Sequence, residues 1–154
     1  MCRTLCIGVF ASIVGLAGFA LAAEHGDSKP VDGEVVRVLS SRDIVEKLDG
    51  KDAKATIVEV TIGPGQSGLA HRHPGPGLVY VLEGEYELGV DDKPTEIFKA
   101  GETFYETTGC LHRVSRNPST KSRTRLIAVV LHPRDVSEIA TPVGEGHSGA
   151  KAAH

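Results

Sequence analysis

The sequence predicts an all-β domain, a sandwich or barrel of short strands. Three observations lead to it. Runs of four to eight residues are rich in β-branched and other strand-forming side chains, Gly, Pro or Asp turns separate them about every 8–12 residues, and no segment keeps helical apolar spacing for the length of an ordinary helix.

Taken in order, residues 34–39 open the domain as a strand, and residues 43–50 fit either a single helical turn or a loop. Residues 55–62 are dense in Val, Ile and Thr and form a strand that Gly63-Pro64-Gly65 ends. Strands are expected over 69–73 and 78–82, then over 86–90 after the break at Glu83-Gly84-Glu85. Asp91-Asp92-Lys93-Pro94 has too few spaced oxygens for a calcium loop and reads as a hairpin turn into residues 95–99. Strands over 103–106, 112–115 and 125–131 complete the set, with a Pro-, Ser-, Lys- and Arg-rich solvated connection over 116–123.

The ends differ in composition from this middle. In residues 1–22 Arg3 is the only charged side chain, an apolar run follows it, and Ala20-Leu21-Ala22 precedes Ala23-Glu24. That is the layout of a secretory signal peptide with cleavage after Ala22, and an uncleaved membrane anchor is the alternative. The mature protein is then expected in a bacterial periplasm or secreted, with no membrane contact after cleavage. Residues 23–33 form a polar linker, residues 34–135 the barrel domain, and residues 136–154 a flexible Gly-, Ala- and His-rich tail.

The whole chain has 154 residues, 40% of them hydrophobic, which suits one modest domain. Four Phe, three Tyr and no Trp leave most of the core to aliphatic side chains. A formal charge of -3 gives no basic surface for nucleic acid, and no nucleic-acid partner is expected. Cys2 and Cys6 leave with the signal, so Cys110 has no partner for an internal disulfide and the fold must stand on packing. No Gly-x-Ser-x-Gly elbow, Walker loop or Cys-x-x-Cys occurs, which sets aside the hydrolases and phosphoryl-transfer enzymes that use them; a zinc hydrolase remains open on its ligands alone, although the helical His-Glu-x-x-His spacing that would favour it is missing.

Chemistry concentrates in two stretches. His71 and His73 are two residues apart, so on an extended chain both rings leave one face. A third histidine, His112, follows a strand and a Gly109 turn. Neutral imidazole suits Zn, Cu, Fe or Ni, and the interior of a barrel lets side chains of separate strands meet.

With their spacing, these stretches resemble the cupin superfamily. Gly65, His71, His73 and Gly84 fall in register with the first cupin motif; Gly101, Gly109 and His112 match the second. There are three departures. Gly77 stands where the family's carboxylate ligand belongs, Thr107 replaces the second motif's proline, and its asparagine comes one residue late at Asn117. The resemblance extends over about residues 34 to 132 and implies a small jelly-roll barrel. It also implies a divalent transition metal on three ligands, His71, His73 and His112, in the manner of the family's three-His iron dioxygenases. Iron(II) is the first expectation, with Cu, Ni, Zn or Mn as the others.

Three neutral rings leave such an ion at about +2, which favours an anionic small-molecule ligand. Glu106 and Gln66 are candidates for a fourth ligand or for the acceptor that holds a metal-bound His, and Cys110 for a thiolate near the site. Glu106 and Tyr80 are candidate acid–base groups. Alternation from the two histidines puts Val79 and Val81, with Leu69 and Gly77, along the pocket wall. The functional expectation is a metal-dependent oxidation of a small anion. Its competitors are a non-catalytic barrel that binds or senses a small ligand, and a structural partner protein. A homodimer is expected, as small cupins pair through sheet edges.

Overall fold

A computed structural model describes residues 33–143 as ten strands. The signal peptide, all of the expected linker but Gly33, and the tail beyond residue 143 lie outside the described residues. The strands are β1 (Glu34–Leu48), β2 (Lys51–Ile62), β3 (His71–Arg72), β4 (Gly77–Glu83), β5 (Glu85–Val90), β6 (Glu96–Lys99), β7 (Thr103–Glu106), β8 (Leu111–Arg116), β9 (Thr124–Pro133) and β10 (Thr141–Pro142). They form two five-stranded antiparallel sheets, ordered β1-β2-β9-β4-β7 and β10-β3-β8-β5-β6, which face each other as a jelly-roll barrel. Among the described residues no helix is long and apolar enough to cross a membrane.

Alternation decides which side chains fill the barrel. Along β4, Gly77, Val79 and Val81 are buried while Leu78, Tyr80 and Leu82 are exposed; along β9, Leu126, Ala128 and Val130 point inward. With Val58, Val60 and Ile62 of β2 they make an aliphatic wall, and Tyr86, Phe98 and Phe104 close one part of the interior as a stack. Each fully buried aliphatic side chain contributes roughly 1.5–3 kcal/mol.

Three segments differ from the sequence expectation. Residues 43–48 are neither helix nor loop but the continuation of β1, which pairs with β2 through two register shifts. Asp49 and Gly50, at φ 50 and 76, make the tight hairpin, and an Asp-Gly pair is the sequence signal for that turn. The strand expected over 69–73 is only two residues long. The tail expected from residue 136 begins later, because Thr141 and Pro142 pair with Arg72 and His71 and the Val143 N–H donates to the Ala70 carbonyl at 2.8 Å. An edge backbone with unpaired donors recruited that segment, whatever its composition.

Asn117, late by one residue against the family motif, is completely buried. Its amide donates to the carbonyls of Ile62, Gly63 and Ser122, and its Oδ1 accepts from the Ser119 N–H. Its own backbone N–H donates to the Gln66 carbonyl. One side chain thereby ties the end of β2, the turn leading to the histidines and the loop before β9. Asn117→Ala leaves buried carbonyls unpaired and is expected to cost about 2–4 kcal/mol; a denaturation midpoint equal to the parent's would contradict this role.

A candidate metal centre at one end of the barrel

The sheet ladder brings the histidines together. His71 on β3 is the direct cross-strand partner of His112 on β8, and His73 lies two residues along the same face. The three ring centroids stand 4.7–4.8 Å apart, and one nitrogen from each ring falls within 4.8 Å of the others. In the β5–β8 ladder the register shifts between Gly89 and Val90 of β5, so His112 and Ser115 of β8, three residues apart, are both buried. A bulge of this kind re-aims a side chain that strict alternation would turn outward.

The surroundings determine which nitrogens are available. His71 Nδ1–H donates to the Leu69 carbonyl at 2.8 Å and His73 Nδ1–H to the Ile139 carbonyl at 2.5 Å. Carbonyls only accept, so both rings are in the tautomer with the Nε2 lone pair free. Those two Nε2 atoms lie 3.2 Å apart. Two lone pairs at that distance repel, whereas two imidazole nitrogens about 2 Å from one ion fit within it. His112 is 1% exposed, and among the described residues neither of its ring nitrogens has a hydrogen-bond partner. The contrast is His132, equally buried, whose Nδ1–H donates to the Pro133 carbonyl while Nε2 accepts from the Thr56 hydroxyl. An orphaned buried nitrogen costs about 1–3 kcal/mol, and an ion beside His112 would remove that cost. The donor set fits a transition metal.

Burial lowers the basicity of all three rings. It holds His71 and His73 below the usual histidine range, and pushes His112 down to about 3, with the charges of His71 and His73 adding to the effect. Glu106, 4% exposed, is pushed up to about 8 by the same loss of solvation. Its Oε1 is 3.3 Å from His112 Nε2 and its Oε2 3.6 Å from His73 Nε2. The distances suit a salt bridge, but the shifts put a neutral carboxyl against neutral rings at pH 7. The shifts decide, since burial penalises both charges.

The three rings and Glu106 border a cavity of about 180 Å³. Its wall is mainly aliphatic, from β2, β4 and β9, with Phe104 at one side. A polar chain also lines it: the Tyr86 hydroxyl donates to Ser115 Oγ at 3.0 Å, and Ser115 hydrogen-bonds the Glu34 carboxyl. Burial pushes Glu34 up to about 7 and raises the Tyr86 phenol further above its ordinary range.

Of the candidates read from sequence, His71, His73, His112, Glu106, Leu69 and Val79 border this cavity. Gly77 lies across the ladder from Glu106 and does not line the cavity, and Val81 is fully buried in the aliphatic core rather than on the cavity wall. Three candidates are placed elsewhere. Tyr80 alternates to the outer face of β4, and Gln66 is exposed with its side chain over Gly33. Cys110 is buried outside the cavity lining, and burial raises its thiol pKa, so it is not a thiolate. Glu34, Ser115 and the Ile139 carbonyl escaped the sequence reading. An acidic residue opening a strand looks like ordinary solvent-facing charge, and a backbone acceptor has no side-chain signature.

Glu34 predicts a pH effect. A carboxyl with a raised folded-state pKa holds its proton more tightly folded than unfolded, so its contribution is full below about pH 4.5 and is lost as pH rises through about 7. In metal-free protein, stability relative to Glu34→Gln should therefore fall by on the order of 3 kcal/mol across that window. Parallel pH profiles for the two proteins would show that the carboxyl is solvated.

The profile of the family described as the cupin domain matches residues 58–130. None of the curated proteins matches the sequence. Among solved structures, an uncharacterised conserved protein with a double-stranded β-helix domain from Klebsiella pneumoniae superposes with a TM-score of 0.56 at 19% identity, covering 75% of this chain and 90% of that one. An RmlC-like cupin from Shewanella frigidimarina gives 0.53 at 19% identity, covering 76% and 92%. Oxalate oxidase in complex with the substrate analogue glycolate gives 0.55 at 19% identity; 78% of this chain is covered and 60% of that one. At these identities the superpositions speak for the fold.

Proposed function

Because the chain belongs to the cupin superfamily, we propose that it is an exported protein that holds one divalent transition ion on His71, His73 and His112 and oxidises a small anionic molecule in the adjoining cavity. The observation that carries this reading is the buried, unpartnered His112 facing two histidines whose backbone acceptors leave Nε2 free. Iron(II) is the ion we assign, with Cu, Ni, Zn and Mn to be separated by analysis. A bound ion would supply Lewis-acid polarisation of the ligand and, for iron or copper, electron transfer with oxygen.

The chain's own residues then have definite tasks. The Leu69 and Ile139 carbonyls orient two rings. The aliphatic wall excludes water from the ligand, which strengthens every charge interaction inside. Glu34, poised near neutrality and joined to Ser115, can take or return a proton at the ligand. At about 180 Å³ the cavity is well below the roughly 300–1,000 Å³ of sites for drug-sized molecules, so the substrate is small. Oxalate and glycolate are sensible first probes, since a structural neighbour handles them.

Elemental analysis of the purified mature chain is expected to find about one equivalent of a transition metal, lost in His112→Ala with the fold retained. Oxygen uptake on adding small acids should need His112 as well. Absence of metal from the parent, even after anaerobic reconstitution with iron(II), would overturn the metalloenzyme; ligand binding without turnover would leave a non-catalytic binding barrel.

Export and pairing complete the proposal. Leu78 and Tyr105 are cross-strand partners on the outer face of their sheet, and with Tyr80 and Leu82 they form an exposed apolar strip suited to a second copy. Protein recovered from the periplasm should start at Ala23 by intact mass and scatter light as twice that mass. A retained Met1 would contradict export by cleavage, and a monomer would contradict the pairing.

A further inference from the structure

We propose that Glu106 supplies a carboxylate ligand to the metal centre from β7, and that glycine at position 77 is what leaves room for it. The inference rests on the three-His reading above and adds a fourth donor that arrives from a strand other than the one where the first motif would place it. Gly77 and Glu106 are direct cross-strand partners in the β4–β7 ladder, so both occupy the same level of the barrel. Directly opposed residues of an antiparallel pair have side-chain origins about 4.5–5.5 Å apart and compete for the same space.

The space at this level is already filled. A Cβ built on Gly77 would stand 2.7 Å from Glu106 Oε2, 3.5 Å from its Cβ and 3.6 Å from its Cδ. The three nearest atoms all belong to Glu106, so its carboxylate is the first thing a side chain at position 77 would meet. From there its oxygens reach 3.3 Å from His112 Nε2 and 3.6 Å from His73 Nε2, in contact with two of the three rings. Any side chain at position 77 would push the carboxyl away from the histidines or be pushed out itself. Glycine and glutamate at these two positions are therefore a matched pair, with the carboxylate moved one strand sideways.

A carboxylate donor changes the electrostatics expected from three neutral rings. The ion and its ligands then carry about +1 in place of +2, and the oxygen donor makes the site more hospitable to manganese. Selectivity among the divalent ions is thus set in part by a residue outside the histidine set.

The test measures Co²⁺ binding to the full mature chain by competition with a chromophoric chelator, with the cobalt absorption spectrum and thermal midpoint followed in parallel. Parent protein should bind one Co²⁺. Glu106→Gln, which keeps the shape, and Glu106→Gly should each weaken binding at least about 10-fold and alter the cobalt spectrum without loss of the fold. The swap Gly77→Glu/Glu106→Gly should bind more tightly than Glu106→Gly alone, because it returns a carboxylate to the same level from the other strand. Parent-like affinity in Glu106→Gln, or a folded swap that binds no better than Glu106→Gly, overturns the assignment while leaving the three-His site standing. A parent that binds no Co²⁺ overturns the three-His reading and this inference with it.

Discussion

The pairing register between β3 and β8 is the constraint on which the rest of the site depends. It sets His71 opposite His112. Side chains alternate with a period of two along a strand, so a slip of one residue would send His71 and His73 to solvent and Arg72 into the barrel. A two-residue strand cannot hold such a register by itself. It is held from both sides: β8 pairs along one edge and β10 along the other, while Asn117 anchors the turn that leads into it.

That arrangement places polar groups where an apolar core would be easier to build. Three imidazoles and a carboxyl lie against a mostly aliphatic cavity, and in the metal-free state burial keeps them uncharged. Among the described residues His112 has no hydrogen-bond partner, a costly choice for a packed interior. His132 shows that this barrel can bury a histidine with both nitrogens satisfied. The difference between the two rings separates a structural histidine from one kept ready for a ligand.

The cavity has a second polar edge that is chemically distinct from the histidines. Glu34, Ser115 and Tyr86 come from β1, β8 and β5, and none is near another in the sequence. They line the same cavity as the histidines, so a small anion held there, as proposed above, would meet charge-attracting and proton-exchanging groups in one space. Such a division suits acid–base steps coupled to metal chemistry.

The sequence by itself determined the all-β class, most strand positions and the candidate metal-binding trio, because period-two patterning, Gly turns and a His-x-His pair are local properties of the chain. It also exposed the missing carboxylate at Gly77 and offered Glu106 and Gln66 as candidate substitutes. Only the tertiary structure decided that Glu106 stands across the ladder from Gly77, that Cys110, Tyr80 and Gln66 lie off the cavity, and that Glu34 faces it. It also turned residues 43–48 into strand and drew Thr141 and Pro142 onto the sheet edge. These outcomes depend on which strands become neighbours and on where a ladder shifts by one residue. Such facts arise from contacts between segments far apart in the chain, which no local pattern encodes.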